Sequence, residues 1–365
     1  MRTRLALFYR RLARDGASSG AERAVLALLL PLSWLYALLM RLRALAYRRG
    51  WLQVYRAAVP VISVGNLAVG GSGKTPLVDF LLRESLRGRR VAVVSRGYGG
   101  QLCGSVQVVS GGDGRAPLLS AVECGDEPYL LARRNPQVVV IIAARRRDGI
   151  DLARRRFGVE AVVLDDAFQH LAVWRDLDIL LFDSRCPLGN GHVLPAGLLR
   201  EPLVAARRAD VLACSRCRQS NPPAPVELGG RPLLWLGQRL AHVAVDSAGA
   251  GYPLEQLRAG RCVACAGIAE PERFFSDLRR LGVELVATLA LADHCRYGTA
   301  DLERLQALLT DDIDYLLVTE KDMVKLQDVA LPVTCCSVAL EMEIVGDDVL
   351  SPRVQELFNK VDCGE

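Results

Sequence analysis

The chain has 365 residues, 51% of them hydrophobic and 24% charged, with a net charge of +5. That length allows two domains with cores of their own, and the composition excludes a disordered chain. The charge is uneven: residues 1–56 hold eleven Arg against Asp15 and Glu22, a local +9 that leaves −4 for the rest and argues against a broad nucleic-acid surface.

In chain order, the first feature is a run without charge from Ala24 to Met40, flanked by Arg23 and by Arg41, Arg43, Arg48 and Arg49. As a helix it covers about 25 Å, short of a hydrocarbon core of about 30 Å, and Pro31 interrupts it. A helix lying in one leaflet fits better than a clean span, with Trp34, Tyr36 and Trp51 at the interface and the arginines on anionic headgroups. A span, a core helix and a signal peptide are the rival readings. Arg41 and Arg43 fall where a cleavage site would need small residues.

Val61-Ile-Ser-Val-Gly then reads as a strand feeding a glycine-rich loop, Ala68-Val69-Gly70-Gly71-Ser72-Gly73-Lys74-Thr75, with a helix opening at Pro76. Backbone N–H groups of such a loop cradle phosphate oxygens and the helix N-terminus adds its dipole. Lys74 would reach the β/γ-phosphates and the Thr75 hydroxyl would sit on Mg²⁺. The strict Walker pattern asks for glycine where Ala68 stands.

Beyond the loop, apolar strands (RRVAVVS, PQVVVIIAA, EAVVLDD, LDILLFD) alternate with helices over 76–87, 126–135 and 148–157. Continuous apolar strands in a βαβ rhythm predict a doubly wound parallel sheet. Asn221-Pro-Pro-Ala-Pro225 is the best linker, and residues 261–325 repeat the rhythm as a second, smaller α/β domain. The expected division is 1–56 membrane-associated segment, 57–228 phosphate-loop domain and 229–365 smaller domain.

Several polar groups fall at expected strand ends. Asp165 and Asp166 close EAVVLDD, where carboxylates hold Mg²⁺ or its waters. His170 could contact phosphate, orient a carboxylate or simply cap. Asp126 and Glu127 could cap a helix, or supply a base and a metal ligand. Asp293-His294 is a common base pair and an equally common loop sequence. Arg96 in Ser-Arg-Gly-Tyr-Gly-Gly and Arg200 after a glycine-rich loop are candidate phosphate clamps. The pairs Cys214/Cys217 and Cys262/Cys265 suggest zinc, but each begins inside an apolar run and reads as buried strand residues. Eleven cysteines without a pattern fit a reducing compartment. Thr319-Glu-Lys-Asp322 faintly resembles a guanine-reading motif, which leaves a membrane-bound nucleotide switch as a competing function.

Taken together, PLSWLYALLMRLR, SVGNLAVGGSGKTP, VSRGYGG, GDEPYLLARR, VVLDDAFQH, RDLDILLFD, GNGHVLPAGLLREPL, AGIAEPERFF, ADHCRY and LLVTEKDMVKL resemble, in order, the tetraacyldisaccharide 4′-kinase family. The family's own loop lacks the first Walker glycine. The resemblance implies a P-loop NTPase-like α/β fold and transfer of the ATP γ-phosphoryl group to the 4′-hydroxyl of a lipid-anchored disaccharide 1-phosphate in lipid A biosynthesis. It implies work at the cytoplasmic face of the inner membrane, with no nucleic acid and no obligate protein partner. By resemblance Asp126 is the base and His294 its partner on the second domain, closing over ATP. Thr75, Glu127, Asp165 and Asp166 serve Mg²⁺, Lys74 and Arg200 stabilise the transferring phosphoryl, and Tyr98 and Arg96 contact the acceptor. Two departures stand out: Ala167 replaces the usual glycine of D-D-G-F-Q-H, which would be strained if that position needs φ > 0, and Cys295 replaces a second histidine after His294.

Overall fold

A computed structural model describes residues 2–70, 73–217, 230–292, 295, 297–326 and 329–362. The expected linker at 221–225 lies outside them. The chain forms two compact units, Met1–Gly237 with Glu343–Glu365, and Gln238–Met342.

The larger unit begins with two helices, α1 (Arg2–Asp15) and α2 (Gly20–Arg48). Ser19 caps α2 through a capping box with Glu22, which also pairs with Arg11. Pro31 does not interrupt α2, contrary to expectation: the helix runs 29 residues through it. Proline withdraws one donor from the helix ladder, and Pro31 lies on the exposed side, where water can serve the freed carbonyl. At 1.5 Å per residue the helix is about 43 Å long, so by length and composition it could cross a membrane.

Next come β1 (Val61–Asn66), α3 (Lys74–Phe80, continued by a π turn over Leu81–Ser85), β2 (Val91–Ser95), β3 (Gln107–Gly111), α4 (Ala121–Cys124), α5 (Asp126–Arg134), β4 (Val139–Ile142), α6 (Arg146–Phe157), β5 (Ala161–Asp165), β6 (Leu177–Asp183) and β7 (Val211–Ser215). The helix after the glycine loop thus starts two residues earlier than expected, with Pro76 inside its first turn, where a missing N–H is tolerated.

The sheet order is β7-β6-β1-β5-β2-β4-β3, parallel except for the edge strand β3. Residues of β1, β2, β4 and β5 are buried throughout, as strands covered on both faces must be. One face packs Val61, Ala92, Val94, Ile141 and Val162 against Ile150 and Ala153 of α6. From β1 the chain crosses outward to β2; from β5 it turns the other way to β6. The carboxyl ends of β1 and β5 therefore flank the crevice where such sheets bind ligands.

The chain leaves this unit along β8 (Leu233–Asp246), which pairs with β7, and forms β9 (Gly251–Pro253), α7 (Leu254–Ala259), β10 (Cys262–Ala266), α8 (Pro271–Arg280), β11 (Leu285–Ala290), α9 (Thr299–Gln306), β12 (Tyr315–Thr319) and α10 (Glu320–Leu326). It returns along β13 (Thr334–Ile344) and ends in α11 (Ser351–Asp362). Strands β11, β10, β12 and β13 are parallel, with a separate core on each face. α11, expected in the smaller domain, belongs to the larger unit: the Arg89 guanidinium lies 3.6 Å from the Phe358 ring centre, and Leu350, Val354 and Phe358 are buried.

The cysteine pairs are structural. Cys262 and Cys265, three residues apart on a strand, point into opposite cores and cannot share an ion. Cys214 and Cys217 pack with Trp235. The resemblance of Thr319–Asp322 to a base-reading motif has a local explanation: the buried Asp322 carboxylate accepts from the Thr319 hydroxyl (2.6 Å) and the Gly267 N–H (3.0 Å).

Candidate active site

The site grows from β1. Gly65 has no room for a side chain: a Cβ there would stand 2.6 Å from both the backbone N and the Cβ of Phe168. That close approach holds the chain after β5 against β1, so Asp165 and Asp166 emerge beside the glycine loop. After β1, the Asn66 amide donates to the Ala68 carbonyl (2.7 Å), Ala68 bridges to Leu199, and the Val69 N–H donates to the Leu198 carbonyl (2.8 Å). Gly70 (φ 132°) and Gly73 (φ 92°) take up conformations unfavourable to other residues, and Gly73 precedes the first turn of α3. Gly71 and Ser72 lie outside the described residues. Thr75 is buried in that first turn.

Lys74 turns back toward the acids. Its Nζ lies 3.3 Å from Asn66 Oδ1 and 3.6 Å from Asp166 Oδ1. Arg200 reaches the same carboxylate, with Nη1 3.0 Å from each oxygen. Burial works against the Asp166 charge, but Lys74 and Arg200 outweigh it and hold the carboxyl below its ordinary range. Asp166 also carries the positive φ of this turn (49°), which aspartate tolerates better than most residues. Ala167 has no positive φ and is fully buried in the core beside α6, so the feared strain is absent there.

Asp165 is the opposite case. It is 1% exposed; Oδ2 accepts from the Ser95 hydroxyl (3.3 Å), while Oδ1 has no protein partner among the described residues. Burial, with Glu127 and Asp166 nearby, pushes its carboxyl up to about 7. A buried carboxylate oxygen without a donor is a place a cation fits. Among the described residues no group of three or more His, Cys, Asp and Glu side chains closes around a metal position.

Asp126 and Glu127 open α5. The loop after β2 is pressed onto this junction: a Cβ on Gly100 would stand 2.5 Å from the Glu123 carbonyl. Arg96 and the highly exposed Tyr98 lie on that loop. His170 is held neutral, its pKa lowered to about 4 by burial and by Arg146, Arg175, Arg43 and Arg96. Asp293 and His294 lie outside the described residues.

Three residues of the site were not singled out from the sequence. Asn66 sets the loop entry and meets Lys74. Gln169 donates to the Asn66 carbonyl (2.8 Å). Arg146, 3% exposed at the start of α6, donates to the Ala143 carbonyl (2.7 Å) and the Asp165 carbonyl (3.1 Å), placing a cation beneath both acids. The strand-end position of Asn66, directly before the glycine loop, was the available signal.

Comparison with known proteins decides the family. The family model described as tetraacyldisaccharide-1-P 4′-kinase, LpxK, matches residues 25–359. The chain belongs to the tetraacyldisaccharide 4′-kinase family. It is 48% identical to the tetraacyldisaccharide 4′-kinase of Syntrophotalea carbinolica, over 98% of this chain and 99% of that one. It is 46% identical to the enzyme of that name from Geobacter metallireducens, over 92% and 99%. A crystal structure of LpxK from Aquifex aeolicus, in complex with ATP, matches with a TM-score of 0.75 and 31% identity, covering 92% of this chain and 99% of that one.

Proposed function

We propose that this chain is an ATP-dependent kinase of lipid A biosynthesis, transferring the γ-phosphoryl group of ATP to the 4′-hydroxyl of tetraacyldisaccharide 1-phosphate. The observation that carries this reading is the convergence of Lys74, behind a glycine loop, and Arg200 on one carboxylate at the carboxyl ends of β1 and β5.

In this reading the segment from Ala68 to Thr75 is a P-loop holding the ATP phosphates. Lys74 and Arg200 move from Asp166 onto the transferring group and neutralise charge as it develops on the equatorial oxygens. Asp126 accepts the proton of the acceptor hydroxyl as that oxygen bonds to the γ-phosphorus and the bond to the β-phosphate oxygen breaks, leaving ADP. Asp165, with Asp166, Glu127 and Thr75, would hold Mg²⁺, which would supply positive charge against the charge that develops on the phosphates. Arg146 keeps the two aspartates in place from below. His294 as the partner of Asp126 rests on the family resemblance alone. Arg96 and Tyr98 contact the acceptor.

The exposed face of α2 supports the localisation in this reading. One face of it is buried through Ser33, while Leu28, Leu32, Leu35, Leu39 and Leu42, at helical spacing, are each at least half exposed. A stripe of leucines left open on a helix flanked by arginines suits the cytoplasmic leaflet of the inner membrane, where a four-chain lipid acceptor resides.

The test is transfer of labelled γ-phosphate to tetraacyldisaccharide 1-phosphate by purified protein in mixed micelles. Bound ATP without lipid product would refute the proposal.

A further inference from the structure

The face of α2 turned away from the leucine stripe carries two polar side chains, Ser33 and Tyr36, that both bond to the segment 193–200. Ser33 is 1% exposed; its hydroxyl donates to the Val193 carbonyl (2.9 Å) and accepts the Ala196 N–H (2.8 Å). One turn on, the Tyr36 hydroxyl donates to the Arg200 carbonyl (2.9 Å). From α1, the Tyr9 hydroxyl donates to the Pro195 carbonyl (2.9 Å). Asn190 donates to the Leu12 carbonyl and to the Ala196 carbonyl (2.8 Å). The segment 193–200 is therefore held along its length by the two N-terminal helices.

Its other edge is part of the site. The Arg200 N–H donates to the Leu67 carbonyl (2.7 Å), and Leu198 and Leu199 pair with the residues that enter the glycine loop. The Arg200 peptide is thus pinned on both sides, by β1's continuation through its N–H and by α2 through its carbonyl. Arginine has four rotatable side-chain bonds, so the guanidinium position depends on how firmly the backbone that carries it is fixed.

We infer that Tyr36 is a positioning residue for Arg200, so that the helix bearing the lipid-facing leucines also sets a phosphate-stabilising arginine. This rests on the kinase reading for its catalytic consequence, but not for the contact itself. A hydroxyl-to-carbonyl bond is worth up to about tenfold when lost.

Tyr36→Phe removes only that bond. Two measurements on the full-length protein test the inference. Hydrogen exchange of the peptide covering 193–200 reads the pinning without any substrate; faster exchange in the variant is expected, and unchanged exchange overturns the inference. Lipid phosphorylation reads the consequence: kcat falls about tenfold with the KM for ATP nearly unchanged, whereas in an Arg200→Ala background Tyr36→Phe costs nothing further. Losses that multiply would show that Tyr36 acts independently of Arg200 and overturn the inference. Faster exchange in a protein whose wild type makes no lipid product would sink the kinase reading alone.

Discussion

Arg200 places a single guanidinium nitrogen 3.0 Å from both carboxylate oxygens of Asp166, and Lys74 approaches one of the same oxygens at 3.6 Å. One carboxylate therefore parks the two cations that the proposed chemistry needs on the γ-phosphate. Asp166→Asn removes the whole negative charge that Lys74 and Arg200 share. Turnover is expected to fall by about 10²–10³ with the protein still folded; Lys74→Ala should fall at least as far. Steady-state phosphorylation of the lipid acceptor checks both, and near-wild-type rates would remove these residues from the mechanism.

Asp165 gives a pH signature. In metal-free protein its carboxyl titrates near 7, against about 3.9 in an unfolded chain. Between those values the native state keeps a proton that the unfolded chain has released. Stability contributed here is therefore greatest at low pH and declines as pH rises from about 4 to about 7. Asp165→Asn cannot ionise, so the variant should gain in melting temperature relative to wild type across that window in the presence of a chelator. Parallel melting profiles would contradict this. Mg²⁺ affinity of the wild type, read by calorimetry with ATP present, should rise over the same range because the ion displaces the proton.

Gly65 has no tolerance for a methyl group. Gly65→Ala forces Phe168 away from β1 by overlap with backbone and Cβ atoms. A cost of about 1–3 kcal/mol is expected, with ATP affinity lost at the same time because the Asp165–Asp166 turn is displaced. Thermal denaturation and nucleotide titration of one preparation check the pair of effects. An unperturbed melting temperature would show that the strand and the turn can separate freely.

The leucine stripe of α2 can be tested without deleting the helix. Removing residues 1–45 would also strip Ser33 and Tyr36 from segment 193–200, confounding membrane release with damage to the site. Replacing Leu28, Leu35, Leu39 and Leu42 by Gln leaves those bonds intact. If each leucine contributes about 1 kcal/mol in the interface, partitioning onto anionic vesicles drops by about a thousandfold. Equal co-sedimentation of variant and wild type would mean that the stripe faces something other than lipid.

The sequence made some of this legible for identifiable reasons. The glycine loop and the Asp165–Asp166 turn are read easily because a β-branched run followed by glycines, or by paired acids, has few other structural outcomes. Arg146 was hidden: it sits between Arg145 and Arg147, and only the first turn of α6 decides that the middle one points under the acids. The unbroken course of α2 through Pro31 was missed because proline's cost depends on which side of the helix its ring lies. The strands β8 and β13 were missed for another reason. Each is long and mixes buried runs with half-buried and exposed positions, unlike the continuous apolar runs that marked the parallel core.

Because the polypeptide departs along β8 and comes back along β13, the larger unit is written in two separated stretches of the gene product, with the smaller unit spliced between them. A fragment stopped at Gly237 would lack α11 and leave Arg89 without the Phe358 ring and Ser85 without Ser351. Minimal versions of this protein are better made by joining residue 237 to residue 343 through a short connector than by trimming from the carboxyl end.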